Sequence, residues 1–247
     1  MNTKIKKHDQ IMLVDGYATE KHFAAFAVLN DMMEIDGGVA EIGTYYGKSF
    51  LMLNSFVKET YQSFAIDLYG DQEKNVSVSG DNHLTAQGFQ DNLEKYDYHK
   101  GKNVEVIKCD TLSNSRMLKD RMHPHPLKFF MVDGGHDYIH ATNDLKIAEE
   151  CISDGGIVIL DDFFHPQFPG PTQALYKYME NGGALQPFFC VDKTLFLCSL
   201  SYREKYFRNI FNFTLDGSEY TKAFKEKFKE TTIAISSICG ANTFWYI

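Results

Sequence analysis

Five short apolar runs alternate with segments of helical spacing along most of this chain. The runs lie at residues 38–42, 63–67, 104–109, 127–132 and 157–160. Around them, apolar residues recur at helical spacing over residues 18–35, 48–58, 83–96, 137–152 and 172–181. Strands that alternate with helices in this way form a mainly parallel sheet with helices on both faces. The order of the segments therefore predicts a doubly wound α/β fold.

Acidic residues stand at or near the end of every one of these runs. They are Glu41, Asp67, Asp110, Asp133, Asp161 and Asp162. The carboxyl ends of parallel strands meet along one edge of a doubly wound sheet, and ligands bind there. We therefore expect one ligand site, lined by carboxylates, at this edge.

The chain continues past the fifth run with two further apolar segments, which Asp192 and Lys193 join. The segments, 184–191 and 194–198, predict an antiparallel hairpin at the edge of the sheet. We expect a single domain over residues 1–247. Its parts are an N-terminal helical extension over 1–35, a core over 36–200, and a C-terminal extension over 201–247 with two helical stretches and an apolar segment at 232–236.

The turn after the first run has a composition suited to a nucleotide-like ligand. From Glu41 to Ser49 it reads Glu-Ile-Gly-Thr-Tyr-Tyr-Gly-Lys-Ser. Glycine turns between a strand and a helix hold such ligands in α/β proteins, because glycine lets the backbone turn tightly and approach the ligand. Glu41 would repel a pyrophosphate but attract a cation. This favours S-adenosylmethionine, which carries an ammonium and a sulfonium. The alternative is that the glycines serve only the turn.

Together these features resemble the class I S-adenosylmethionine-dependent methyltransferases, with their Rossmann-like sheet. They are most similar to bacterial small-molecule and sugar O-methyltransferases with V-D-G-x-H and D-D motifs. The resemblance spans about residues 18–200 and rests on residues 41–49, 65–67, 132–136 and 155–162. Tyr45 stands where a middle glycine is common in the family. The cation-dependent O-methyltransferases also carry a bulkier residue at this position.

The resemblance implies a role for each motif residue. Asp67 would bind the ribose of the cofactor, unless it serves only as a helix cap or turn residue. Asp110 and Thr111 would lie near the adenine, and Asp133 would also contact the cofactor. The turn that would hold the methionine part comprises Glu41, Gly43, Thr44, Tyr45, Gly47 and Ser49.

Three aspartates suggest a cation site. Asp133, Asp161 and Asp162 end two adjacent predicted strands, so they can converge on one ion. Carboxylate oxygens suit Mg²⁺, Mn²⁺ or Ca²⁺ better than Zn²⁺. In cation-dependent O-methyltransferases the corresponding positions hold the metal. The alternatives are that these acids are caps and turn residues, or that Asp133 contacts only the cofactor.

Histidines near these acids are candidates for the catalytic base. His136 lies three residues after Asp133, where catechol-type relatives carry a basic residue, and imidazole titrates near neutral pH. A structural histidine at a helix start is the alternative. His140 and His165 rank lower as bases or ligands.

Two further acids, Asp137 and Asp144, are expected to cap and solvate the helix over residues 137–152. The acceptor pocket is expected to form from loops and extensions, including the polar segment 70–82, so the sequence does not identify the acceptor.

Composition disfavours some classes of partner. The net charge is −8 at pH 7, and the lack of any long basic run disfavours nucleic acid. No apolar run has the length of a membrane span or follows the pattern of a signal peptide. Five cysteines without C-x-x-C pairs indicate reduced, buried thiols in the cytoplasm. We expect a small-molecule acceptor, and the aromatic C-terminal extension leaves a homo-oligomer open.

The leading hypothesis is therefore a divalent-cation-assisted, S-adenosylmethionine-dependent O-methyltransferase of a small hydroxylated molecule, such as a sugar or secondary metabolite. One alternative is a metal-independent methyltransferase that uses His136 as its base or methylates an amine. Another is a nonenzymatic cofactor-binding protein of the same fold. A nicotinamide-dependent oxidoreductase is disfavoured by Glu41 and by the missing G-x-G-x-x-G motif.

Overall fold

The computed structural model describes residues 9–71, 84–215 and 233–246. The helices are α1 (Glu20–Met32), α2 (Lys48–Asn54), α3 (Ala86–Tyr96), α4 (Thr111–Met122), α5 (Tyr138–Cys151), α6 (Gly170–Glu180) and α7 (Leu200–Leu215). The strands are β1 (Gly38–Ile42), β2 (Ser63–Asp67), β3 (Val104–Lys108), β4 (Leu127–Val132), β5 (Ile157–Leu160), β6 (Leu185–Val191), β7 (Thr194–Ser199), β8 (Ile233–Ile238) and β9 (Ala241–Tyr246).

The strands form one sheet in the order β3-β2-β1-β4-β5-β7-β6-β9-β8. The first five strands in this order are mutually parallel, which confirms the doubly wound arrangement. β7 runs antiparallel to both β5 and β6, so the predicted hairpin is also confirmed. The sheet then continues, because β9 pairs parallel to β6 and β8 pairs antiparallel to β9. The outermost strand on this side is therefore β8 rather than a strand of the predicted hairpin.

The centre of the sheet is buried on both faces. Every residue of β1, β4 and β5 is buried, as expected for parallel strands covered by helices on each side. Successive side chains of a strand point to opposite faces. Thus Phe129 belongs to the apolar core on one face, and Phe130 belongs to the core on the other.

Helix boundaries follow local capping. Asp137 accepts hydrogen bonds from the backbone N–H groups of Ile139 and His140, so α5 begins at Tyr138 and the predicted cap is confirmed. α1 is shorter than the predicted 18–35, because Thr19 caps its start and Met33 is already extended. Part of the predicted loop at 70–82, and one of the two predicted C-terminal helical stretches, lie outside the described residues.

Three of the five cysteines are buried as expected, namely Cys151, Cys190 and Cys198. Cys239 is exposed, contrary to the prediction, because it forms the turn between β8 and β9 with Gly240. Both turn residues have positive φ, 48° and 83°, as a tight hairpin turn requires. Within the described ranges, no helix has the length and apolar character needed to cross a membrane.

Candidate active site

A cavity of about 810 Å³ opens at the carboxyl ends of the parallel strands, where the acidic residues predicted a ligand site. Ile42, Ile66 and Met131 form part of its wall. Most of the predicted site residues line it: Gly43, Thr44, Tyr45, Ser49, Asp67, Asp110, Thr111, Asp133, His136, Asp161 and Asp162. Glu41 and Gly47, by contrast, lie behind the wall.

The glycine turn brings β1 against the end of β4. Gly43 has φ 87°, and a Cβ there would lie 1.8 Å from the carbonyl oxygen of Asp133. Only glycine fits this position, since the conformation is strained for other residues and the space is occupied by backbone. The sequence predicts that glycine lets the backbone approach a ligand. At Gly43 the close approach is to the backbone at the end of the neighbouring strand β4.

Glu41 supports the turn from beneath. Its side chain is fully buried, and Oε1 accepts a hydrogen bond from Ser49 Oγ at 2.5 Å. Oε2 has no hydrogen-bond partner within the described part of the chain. Burial raises the pKa of Glu41 well above its ordinary value, and the Ser49 hydrogen bond only partly opposes this. Ser49 lines the cavity and thus connects the buried Glu41 carboxyl to its wall.

Asp67 is oriented by backbone amides. Oδ2 accepts from the N–H of Tyr45 and Oδ1 accepts from the N–H of Tyr69, each at 2.9 Å. Burial raises the pKa of Asp67, and the backbone hydrogen bonds oppose the shift. Asp67 therefore joins two loops, as expected of a turn residue, and it also lines the cavity. Its contact with a ribose stays a prediction.

Another acid of the cavity wall was misassigned. Asp144 is fully buried rather than solvated, and its Oδ2 has no hydrogen-bond partner among the residues that the structure describes. Burial raises the pKa of Asp144 to about 6, while the side chains of Thr111 and Asn143 favour the ionised form. Asp110, nearby in the wall, uses its two oxygens to cap α4 through Leu112 N and Ser113 Oγ.

Two of the three predicted metal ligands gather around His136. One oxygen each from Asp133 and Asp162 and one ring nitrogen of His136 lie within 4.8 Å of one another. His136 Nε2 is 3.1 Å from Asp162 Oδ2, and the ring of Phe168 packs 4.1 Å from the imidazole centroid. Burial raises the pKa of Asp133, with further increases from Asp161 and Asp162. This group of three residues would favour a bound cation.

Asp161 has a different partner. Its Oδ1 accepts a short hydrogen bond from Thr194 Oγ1, at the start of β7. Thr194 in turn contacts His22 Nε2 at 3.0 Å. His22 and Thr194 line the cavity as well.

Comparison of the sequence with known protein families agrees with this geometry. A family described as "Methyltransferase domain" matches residues 40–163, about half of the chain. The chain belongs to this methyltransferase family. The resemblance stated from its motifs is thereby confirmed, and the protein is a methyltransferase. No curated protein is similar enough in sequence to count as a relative.

Solved structures share the fold of this methyltransferase at low sequence identity. The O-methyltransferase TomG from Streptomyces achromogenes, involved in tomaymycin synthesis and solved with S-adenosylmethionine, is 16% identical, with a TM-score of 0.55 over 80% of this chain and 88% of TomG. The O-methyltransferase NovP is 16% identical, with a TM-score of 0.52 over 71% and 79%. An O-methyltransferase from Bacillus cereus, solved with SAH, is 15% identical, with a TM-score of 0.52 over 74% and 82%.

Sequence reasoning missed two side chains in the wall of this methyltransferase's cavity. The position of Thr194 could have been predicted from strand pairing. β5 pairs with β7 at Leu160 and Leu195, and continuing that register sets Asp161 opposite Thr194. This step required the hairpin to be placed beside the fifth strand. His22 lies on the same face of α1 as the buried Ala25 and Phe26, but no sequence signal connected it to residues more than 130 positions away.

Proposed function

We propose that this methyltransferase binds S-adenosylmethionine in the cavity and methylates an oxygen of a small hydroxylated molecule, such as a sugar or a secondary metabolite, with the help of a divalent cation. One observation carries the proposal. The oriented carboxylate of Asp67 and the group of Asp133, His136 and Asp162 share a single cavity.

The cavity suits a cationic cofactor. Aspartates dominate its charged lining, whereas among the described residues lysines contribute only Lys48 and Lys193. A concave surface of one charge raises the local concentration of ligands of the opposite charge. Asp67 is held by two backbone amides and lines the cavity, so its carboxylate is available to accept hydrogen bonds from ribose hydroxyls. When bound, S-adenosylmethionine supplies a methyl group on an electrophilic sulfonium, and TomG provides a fold neighbour that binds it.

The donor set also suits a divalent cation. Asp133 is crowded by Asp161 and Asp162, and burial together with these neighbours raises its pKa. A bound cation would remove that repulsion. Carboxylate oxygens are the preferred ligands of Mg²⁺, Mn²⁺ and Ca²⁺. We assign Asp133 and Asp162, whose oxygens lie together, and the neighbouring Asp161, which lies outside that group, as the residues that would hold the ion. The ion would lower the pKa of an acceptor hydroxyl.

His136 is the proposed base. Burial lowers the pKa of its imidazole, so the ring is neutral at neutral pH and can take up a proton. His136 Nε2 lies 3.1 Å from Asp162 Oδ2, so the tautomer that donates from Nε2 to this carboxylate would have Nδ1 as its basic nitrogen. Phe168 fixes the plane of the imidazole by packing against it.

The same contact favours a second candidate function. A histidine hydrogen-bonded to an aspartate is a competent base without any metal. The alternative is therefore a metal-independent methyltransferase in which Asp162 orients His136. Activity that survives EDTA would favour this alternative, whereas loss of activity that Mg²⁺ restores would favour cation assistance.

The first experiment is calorimetric titration of S-adenosylmethionine with and without Mg²⁺, with NAD as the control ligand. We expect micromolar binding of S-adenosylmethionine and no NAD signal. The Asp162→Asn variant should lose Mn²⁺ binding by more than about tenfold and keep its cofactor affinity, while the exposed Asp154→Asn control should keep both. Absence of cofactor binding in the wild type would refute the proposal.

We propose a small-molecule acceptor rather than nucleic acid, because the net charge is −8 and the cavity is acidic. We also propose a reducing compartment such as the cytoplasm, since all five cysteines are free thiols.

A further inference from the structure

A chain of hydrogen bonds runs from the first helix to the proposed cation site. The backbone N–H of Thr19 lies 3.0 Å from His22 Nδ1. His22 Nε2 lies 3.0 Å from Thr194 Oγ1, and Thr194 Oγ1 contacts Asp161 Oδ1. These contacts join α1, β7 and the end of β5, which are remote from one another in sequence.

Chemistry favours one direction for each hydrogen bond in this chain. The backbone N–H of Thr19 can only donate, and the Thr19 hydroxyl, 2.9 Å from the same His22 Nδ1, can donate as well, so both contacts are satisfied when Nδ1 accepts. The proton of the neutral imidazole is therefore on Nε2, which donates to Thr194 Oγ1. The single proton of the Thr194 hydroxyl is then directed to Asp161. Burial lowers the pKa of His22, in agreement with a neutral ring.

The surroundings hold this chain in one geometry. Thr194 is fully buried, so its hydroxyl has no access to solvent. Lys21, next to His22, forms an ion pair with Asp192 in the β6–β7 turn at 2.8 Å. The start of α1 is thus attached to the hairpin at two adjacent positions. Asp161 is the end point, and it lies among carboxylates that repel one another.

We propose that His22 and Thr194 are positioning residues that fix Asp161 as the third carboxylate of the cation site. Outer hydrogen bonds that orient a carboxylate ligand typically change metal affinity about 10–100-fold when removed. This inference rests on the proposed cation-assisted function. It assigns a functional role to α1, which otherwise serves as an N-terminal extension.

The test uses Mn²⁺ alone as the probe and compares isosteric with conservative substitutions in the full chain. Thr194→Val keeps the shape of the side chain but removes the hydroxyl, whereas Thr194→Ser keeps the hydroxyl. We expect Thr194→Val to weaken Mn²⁺ binding about 10–100-fold, and Thr194→Ser to remain within about threefold of the wild type. Mn²⁺ affinity is measured by electron paramagnetic resonance.

His22 provides an independent variant pair. His22→Ala should weaken Mn²⁺ binding, and His22→Gln, which keeps an N–H donor, should restore part of the loss. Because His22 acts through Thr194, the double variant His22→Ala with Thr194→Val should bind Mn²⁺ no more weakly than Thr194→Val alone. Additive losses would contradict a shared route.

S-adenosylhomocysteine affinity and melting temperature separate positioning from a structural role. Positioning predicts that the cofactor product binds Thr194→Val as it binds the wild type. Parallel losses of Mn²⁺ affinity, S-adenosylhomocysteine affinity and melting temperature would overturn the inference, as would unchanged Mn²⁺ affinity in both Thr194→Val and His22→Ala. If the wild type binds no Mn²⁺, the cation-assisted function fails and the positioning role fails with it.

Discussion

Replacing Gly43 by alanine should disrupt the site by forcing apart two central strands. A Cβ at this position would lie 1.8 Å from the Asp133 carbonyl oxygen and 2.4 Å from the Asp133 carbonyl carbon. Both contacts are to backbone, which cannot rotate away as a side chain can. β1 and β4 are directly paired here, with Ile42 opposite Val132, so any relief must come from movement of the sheet itself.

A matched control variant separates two parts of the stability that Gly43→Ala would lose, backbone strain and steric conflict. Gly182 has φ 83°, close to the 87° of Gly43, but a Cβ there would meet nothing within 4 Å. Gly182→Ala therefore reports the backbone strain alone, roughly 1–2 kcal/mol. Gly43→Ala adds a steric conflict of the kind that costs about 1–3 kcal/mol in packed cores, for a total of about 2–5 kcal/mol. A chain of this size loses about 2–4 °C of melting temperature per kcal/mol.

Urea unfolding of both variants measures the difference, and calorimetry with S-adenosylmethionine reports the state of the site. We expect Gly43→Ala to be about 1–3 kcal/mol less stable than Gly182→Ala, and to bind cofactor more weakly because Asp133 is displaced. Equal stabilities of the two variants would show that the close approach of β1 to β4 is not a constraint, and would refute the reasoning.

Three further predictions concern single carboxylates. Burial raises the pKa of Asp144 to about 6, so the folded protein favours the protonated form of this carboxyl. The contribution of this group to the free energy of unfolding is complete below about pH 4. It is lost as the pH rises through about 6, by roughly 2–3 kcal/mol. Asp144→Asn should abolish this fall, as urea unfolding at pH 4.5 and pH 7 would reveal, and a parallel pH dependence in the variant would contradict it. Ser49→Ala should lower stability by about 1–3 kcal/mol, because it removes the partner of the buried Glu41 carboxyl, and a shift below about 0.3 kcal/mol in urea would contradict that role. Asp67→Asn should weaken S-adenosylmethionine binding about 10–100-fold by calorimetry, the value of one or two charge-assisted hydrogen bonds, whereas unchanged affinity would exclude a ribose contact.

The sequence predicted the parallel core well because its local signals agree with the global fold. β1, β4 and β5 are continuous apolar runs, and burial on both faces produces such runs. β9 lacked a comparable signal, since its place depends on parallel pairing with β6, about fifty residues earlier in the chain. Pairing at that separation is decided by the shape of the finished sheet rather than by local propensity.

The error at Asp144 has a specific cause. Ala141, Leu145 and Ala148 form the buried face of α5, and Asp144 lies on the same face at helical spacing. Periodicity alone therefore indicates burial. The prediction of a solvated residue followed from its charge, because aspartate is seldom fully buried. A buried, incompletely hydrogen-bonded carboxyl in the cavity wall is the kind of exception that occurs where function rather than stability selects the residue.

The loop after β5 shows the same conflict between local preference and global structure. Asp162 and Phe164 have φ values of 57° and 59°, a left-handed conformation that costs non-glycine residues about 1–2 kcal/mol each. Two hydrogen bonds hold this loop: the N–H of Phe163 donates to the Lys193 carbonyl, and the N–H of Phe164 donates to Thr172 Oγ1. The first bond comes from the β6–β7 turn and the second from α6, so elements outside the parallel core impose the conformation. Backbone strain persists where surrounding structure enforces it, and it concentrates at functional sites. The hairpin beside β5 is therefore part of the architecture of the candidate site, since it supports the loop that presents Asp162 and, through Thr194, also holds Asp161.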